Sequence, residues 1–224
     1  MEGVFGSSGG RVCRAAFEGR VHTRGILEDV AYLARACLDL HELTLEPAWR
    51  ERAVALTRHA MDRYRRDAGD GFHLTASDAE ALIERTESQH DGPIPSGLGV
   101  MVEVLLRIDY GPDTLPDAPT TVDAILERFR GAASQPFAYA SLLTAAALAA
   151  PQARHVTVRG PAPDDPATAA LASAVRSTRL ALPSAIALDF DRAETVAGIV
   201  CEGSGACSIP ITEHDAVLAA LRQV

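Results

Sequence analysis

The chain has 224 residues, 47% of them hydrophobic and 23% charged, which is enough apolar material for a buried core and excludes a disordered protein. Lys and Arg number 21 against 30 Asp and Glu, a formal net charge of -9, and no basic stripe interleaved with aromatic residues occurs, so no nucleic-acid partner is expected. The longest apolar run, Phe137 to Ala150, is interrupted by Ser141 and Thr144 and falls short of the roughly 20 residues that span a bilayer. It reads as a buried helix, and no membrane partner is expected.

Residues 1–20 open with MEGVFGSSGGRVCR, which has no basic-then-apolar leader pattern, and read as a flexible N-terminal segment of a cytoplasmic protein. From Ile26 the apolar positions Ile26, Val30, Leu33, Cys37 and Leu40 recur every three or four residues, which predicts an amphipathic helix. After LTLEP, Pro47 suits the first turn of a second helix carrying Trp49, Ala53, Leu56, Ala60 and Tyr64 on one face. A third helix places Val100, Val104 and Ile108 in register and is stopped by YGPDTLPDAP. A fourth, about Thr121 to Arg130, aligns Val122, Ile125 and Phe129, and the alanine-rich run makes a fifth. Residues 21–150 therefore read as helical hairpins without a strict repeat period.

Near Pro151 the texture changes. HVTVRG is a short β-branched strand, ATAALASAVRST a helix, SAIALDF and TVAGIVCEG two more strands, and Glu213 to Arg222 a closing helix. Residues 151–224 thus read as a small α/β region with a parallel pair at its centre.

The loop HDGPIPSGLG, His90 to Gly99, raises the question of function. It lacks the lysine and the preceding strand of a phosphate-binding loop. Two readings stand. In one, Ser96 caps the following helix while Gly97 and Gly99 let its first turn pack closely. In the other, Asp91, Ser96 and the free amides of that helix rim a pocket for an anionic or hydroxyl-rich ligand. Glu28 and Asp29, in the first turn of the first helix, either satisfy the helix dipole or supply paired carboxylates for acid–base chemistry. His73 and His90 flank the same loop and are candidate proton-transfer groups, whereas His22, His41, His59, His155 and His214 look scattered.

The four cysteines do not form a disulfide scaffold in a chain of this length, and reduced thiols are expected. Cys201 and Cys207 are separated by five residues, including Gly203 and Gly205, with His214 as the one further ligand nearby. That set is too small for a structural zinc, so two partly buried thiols steadying the last turn are expected, with no metal and no cofactor.

Four ordered blocks, GILEDVAYL at Gly25–Leu33, GFHLTASDAEALIER at Gly71–Arg85, DGPIPSGLGV at Asp91–Val100 and CEGSGACSIPIT at Cys201–Thr212, resemble the C-terminal half of thioredoxin-domain-containing proteins of the spermatogenesis-associated protein 20 type. The resemblance implies a mainly α fold, a partial α/α toroid of six-hairpin type like that of sugar epimerases and glycosidases, with a small C-terminal α/β appendage. It also implies a truncated chain, lacking the thioredoxin-like domain and the first part of the toroid. Departures from the pattern are Leu98 and Gly99, where the family has Asn and Ser, and Glu87, where it has a basic residue. The implied site lies at the toroid mouth. There Glu28, Asp29 and Asp91, with His73 or His90, would serve as acid–base groups, and Ser96 and Tyr32 would contact a carbohydrate-like substrate. Glu28, Asp29, Asp91 and Ser96 are then expected in one concavity. The alternatives are a non-catalytic module that completes a partner and an inactive remnant. Open apolar flanks of a partial toroid would favour self-association or a partner supplying the missing half.

Overall fold

The computed structural model describes residues 12–18, 20–79, 84–109, 115–150, 153–178, 186–202 and 206–222. In chain order the elements are β1 (Cys13–Phe17), β2 (Arg20–Arg24), α1 (Leu27–Thr44), α2 (Pro47–Arg63), α3 (Gly97–Asp109), α4 (Ala118–Arg128), α5 (Ala140–Ala146), β3 (Arg154–Gly160), α6 (Pro166–Ser177), β4 (Ile186–Arg192), β5 (Ala197–Glu202) and α7 (His214–Arg222). The architecture is mainly helical with a small three-stranded sheet. Among the described residues no helix is long and apolar enough to cross a membrane. The chain divides into two compact units. One takes in the described residues up to Leu38 and Glu51–Ala146; the other takes in Asp39–Arg50 and the described residues from Ala147 onward.

In the first unit β1 and β2 form an antiparallel hairpin, with Cys13 opposite Arg24 and Phe17 opposite Arg20. The sequence reading has no strand here, because CRAAF and RVHTR lack a clean apolar alternation. The rest of the expected flexible segment, residues 1–11, lies outside the described residues. Helix α1 buries Leu27, Val30, Ala31 and Ala34 completely, while Leu33 is half-buried. Of the stripe that marks the helix in sequence, Val30 and Cys37 are buried and Ile26, Leu33 and Leu40 half-buried. Tyr64, at the end of α2, donates from its buried hydroxyl to the Gly25 carbonyl at 2.9 Å.

Helix α3 is the buried centre of this unit: Leu98, Met101, Leu105 and Ile108 are shielded, and α4 and α5 pack against it. Its start is tight. A side chain at Gly97 would meet Leu27 at 3.2 Å, and one at Gly99 would run into Ser141 Oγ and lie 2.7 Å from the Leu142 amide nitrogen. Gly99 is required by the close approach of α5, whereas at Gly97 the Leu27 side chain would have to give by a few tenths of an ångström. The expected fifth helix is shorter than its apolar run. The regular helix covers only Ala140–Ala146, and Ala147–Ala149 form a 3-10 turn. Pro136 disfavours helix in the residue before it, and Phe137 is 96% exposed rather than buried.

In the second unit the sheet order is β4-β3-β5. β3 runs parallel to β4, with Val156 opposite Leu188, and antiparallel to β5, with Val156 opposite Val200. Helix α6 makes the crossover between the parallel strands, capped by Asp165, whose carboxylate accepts from the Thr168 amide at 2.9 Å. Val156, Val158 and Leu188 pack against Leu171 and Val175 of α6 and Val217 and Leu221 of α7. Leu45, just past the end of α1, joins this core although its φ is +59°, a left-handed conformation that a leucine adopts only at a cost of about 1 kcal/mol. Its amide donates to the His41 carbonyl at 2.6 Å, closing the helix, and the burial of its side chain offsets the strain.

The expectation of reduced thiols at Cys201 and Cys207 is corrected by the structure, in which the two form a disulfide. The chain returns after β5 so that they stand opposite one another as cross-strand partners, with Cα atoms 4.0 Å apart. Sequence spacing alone does not reveal this return; Gly203 and Gly205 lie outside the described residues. Cys13 and Cys37 are free thiols.

Candidate functional site

The loop ahead of α3 is organised around one carboxylate. Asp91 Oδ1 accepts from the Ser96 amide at 2.8 Å and from Ser141 Oγ at 2.5 Å, and its Oδ2 accepts from the Ser141 amide at 2.7 Å. The Asp91 amide in turn donates to the Ala138 carbonyl at 2.8 Å. Ser96 Oγ accepts from the Gly99 amide at 3.2 Å, the expected helix cap, and lies 3.1 Å from Ser141 Oγ. Burial pushes the Asp91 carboxyl up, but the hydrogen bonds from Ser141 and Ser96 outweigh it and hold the group below the usual carboxylate range. Asp91 is therefore an ionised acceptor. Ser96 and Ser141 between them supply donors to both of its oxygens.

An open groove of about 370 Å³ runs beside this carboxylate. Pro93, Ile94, Pro95 and Phe137 line it together with Ser141 and Thr144. Ile94 is 60% and Phe137 96% exposed, so the groove offers apolar surface that the fold itself does not use. Arg35 and Glu103 also line it and form an ion pair at 3.6 Å. Next to the groove, the Tyr32 hydroxyl donates to the Pro95 carbonyl at 3.0 Å. Burial raises the Tyr32 hydroxyl above its ordinary range; Arg35 opposes this, and the negative charges of Asp91 and Glu28 add to it.

The remaining sequence candidates separate. Glu28 packs beside Gly97, where a Cβ would lie 3.3 Å from its carboxyl carbon, and its buried Oε2 has no hydrogen-bond partner among the described residues. It is close enough to act on the Tyr32 hydroxyl electrostatically but is not among the groove-lining residues. Asp29 is occupied at the helix start, accepting from the Ile26 amide at 2.9 Å and pairing with Arg14 at 3.6 Å. His90 shares a 2.9 Å hydrogen bond between its Nε2 and the Tyr139 hydroxyl. His73 is bound through Nδ1 to the Arg85 carbonyl at 3.1 Å, and its backbone bridges to Glu87. Asp91 and Ser96 are thus joined directly, with Tyr32 tied to the same loop and Glu28 beside it. Asp29 and His73 are engaged elsewhere.

Two clusters are not anticipated from the sequence. In the first unit Glu87 accepts from Arg66 at 2.9 Å, from Arg128 at 2.8 Å and from Gln89 at 2.7 Å. Burial raises its carboxyl, and these bonds and the two guanidinium charges bring it below the ordinary range. In the second unit His41 Nε2 meets Asp189 Oδ1 at 2.7 Å and Arg50 lies 3.4 Å from Asp189 Oδ2, all three buried. Burial raises Asp189, and the His41 bond and the Arg50 charge hold it low. The available signal was the aspartate inside the apolar strand IALDF, since an acid there needs a partner. Among the described residues no group of three or more His, Cys, Asp or Glu side chains is placed to hold a metal ion.

No family model matches the chain. Spermatogenesis-associated protein 20 from human is 31% identical over 114 residues, 47% of this chain and 14% of the relative. The mouse protein of the same name gives the same identity over the same shares, and the rat protein is 33% identical over 116 residues. The chain is related to spermatogenesis-associated protein 20. It spans 14% of the length of the spermatogenesis-associated protein 20 sequences that it matches.

Proposed function

We propose that this chain is a carbohydrate-binding module whose ligand lies in the groove between Ile94 and Phe137. The observation that carries the reading is an almost fully exposed Phe137 ring lining the same groove as the Asp91 carboxylate, which is ionised and fixed in place. A sugar ring has an apolar C–H face that packs on an aromatic ring, and hydroxyls on its edge that need oriented acceptors and donors. Phe137 supplies the first requirement; the fixed Asp91 charge and the hydroxyl oxygens of Ser141 and Thr144, whose protons go to Asp91 and the Ala140 carbonyl, supply acceptors for the second. In this reading the helices α1 to α5 belong to a larger α/α toroid, a view supported by the run of consecutive helices and by the relation to spermatogenesis-associated protein 20.

Binding without turnover is the better supported form. A glycosidase-type reaction needs a protonated carboxylic acid near its partner carboxylate, with a raised pKa, and Asp91 is held the other way. The carboxylate reading of acid–base chemistry rests on Glu28, whose buried Oε2 is without a hydrogen bond among the described residues but which does not line the groove. Isothermal titration of the chain with methyl glycosides tests the proposal. A saturable heat that is lost in Phe137→Ala, with the fold retained, is expected; identical binding by Phe137→Ala, or no binding of any glycoside, overturns it.

A further inference from the structure

The charged floor of the groove points to a more specific ligand. Arg35 reaches Glu103 Oε2 only at 3.6 Å, beyond hydrogen-bond distance, and its guanidinium lies 5.6 Å from the centre of the Tyr32 ring. Among the described residues it makes no hydrogen bond. Glu103 is held from its own helix by Arg107, whose Nη1 donates to the other carboxylate oxygen, Oε1, at 3.2 Å. Arg107 is buried at 8% side-chain exposure, while Arg35 is 34% exposed. Two arginines therefore share one glutamate. The buried one neutralises it on α3, and the exposed one has donors to spare at the groove.

We infer that Arg35 makes the groove selective for sugars carrying an anionic group, a carboxylate or a phosphate, an inference that rests on the carbohydrate reading above. A guanidinium presents a planar fork of N–H donors that suits both groups. An incoming anion does not strand Glu103, because Arg107 keeps it neutralised. The Asp91 charge opposes an anion, but it is met by the Ser96 and Ser141 amides and the Ser141 hydroxyl, which satisfy both its oxygens. The ring stays on Phe137 while its charged substituent turns to Arg35, exchanging a long ion pair for a hydrogen-bonded one.

The test is a set of titrations with methyl glucoside, methyl glucuronide and glucose 6-phosphate, on the wild-type chain and on Arg35→Gln and Arg35→Lys. A hydrogen-bonded charge in a partly exposed site is worth about tenfold in affinity. Wild type is expected to bind one or both anionic sugars about tenfold more tightly than methyl glucoside, the better of the two identifying the group. Arg35→Gln is expected to lose the preference and bind all three alike, and Arg35→Lys to keep part of it. A wild-type circular dichroism spectrum and thermal midpoint are the control that Arg35→Gln folds. If methyl glucoside binds and the anionic sugars bind no better, or if their advantage survives in Arg35→Gln, the inference fails and the carbohydrate reading stands. If none of the three binds, both fail.

Discussion

Asp91 and Ser141, fifty positions apart, are joined twice: the hydroxyl of Ser141 donates to Oδ1 and its amide donates to Oδ2. One carboxylate thereby fixes the loop ahead of α3 to the first turn of α5. It is the acidic residue of HDGPIPSGLG that decides the local structure, and the groove beside it inherits its shape from this link.

Asp91→Asn is the direct test of that link. The amide nitrogen of Asn must face either the Ser141 amide or the donors at Ser96 and Ser141 Oγ, so a donor is set against a donor whichever way the side chain turns. The expected cost is about 1–3 kcal/mol in chemical denaturation. A variant as stable as wild type would mean that the loop is held by other contacts.

Gly99 tests the packing on the other side of the same junction. A methyl group there meets both the Ser141 hydroxyl and backbone of Leu142, and backbone cannot yield as a flexible side chain does. Gly99→Ala is expected to lose about 1–3 kcal/mol despite the better helix propensity of alanine. A gain in the thermal midpoint would show that α5 can move away without loss.

The second unit makes a pH prediction. Burial lowers His155 to about 4 from an ordinary 6.5; Asp189 opposes the shift and Arg50 adds to it. A histidine with a depressed pKa is neutral in the folded chain while the unfolded chain already binds a proton, so its contribution to stability is intact above about pH 6.5 and is lost as pH falls towards 4. The full loss is of order 3 kcal/mol. Urea denaturation at pH 7 and pH 4.5 should give a lower midpoint at the acid end, with a smaller drop in His155→Gln. Equal drops in the two proteins would assign the acid sensitivity elsewhere.

Thiol chemistry checks the disulfide. In denaturant without reductant, the air-isolated chain should react with thiol reagents at Cys13 and Cys37 alone, and at all four cysteines after reduction. Serine at both Cys201 and Cys207 should cost about 2 kcal/mol, the entropy of so short a closed loop. Four reactive thiols without reductant would contradict the bridge.

The helices and strands were legible where periodicity and punctuation agree. Pro47 starts α2, the three-and-four spacing of Val100, Val104 and Ile108 marks α3, and Val156 and Val158 alternate with His155 and Thr157 in β3. Local signals failed where distant partners decide. Ser141 looked like an interruption of an apolar helix and is instead the partner of Asp91. Phe137 looked like core and is exposed in the groove wall. His41 seemed one of several scattered histidines, yet it reaches Asp189 across 148 positions. Asp91 and Ser96 could be named from one loop because both belong to the same turn. Arg35, Glu103 and Phe137 could not, since they come from α1, α3 and the turn before α5 and only the packing of these elements around that loop brings them to one groove.

The central claim is that the groove between Ile94 and Phe137 holds a sugar. Amide-resolved NMR of the isotope-labelled chain, titrated with methyl glucoside and methyl glucuronide, tests it most directly. The account predicts saturable shift changes that concentrate in residues 91–96 and 137–144 and at Arg35. A titration that leaves these amides unmoved, or moves only those of the sheet unit, would contradict it.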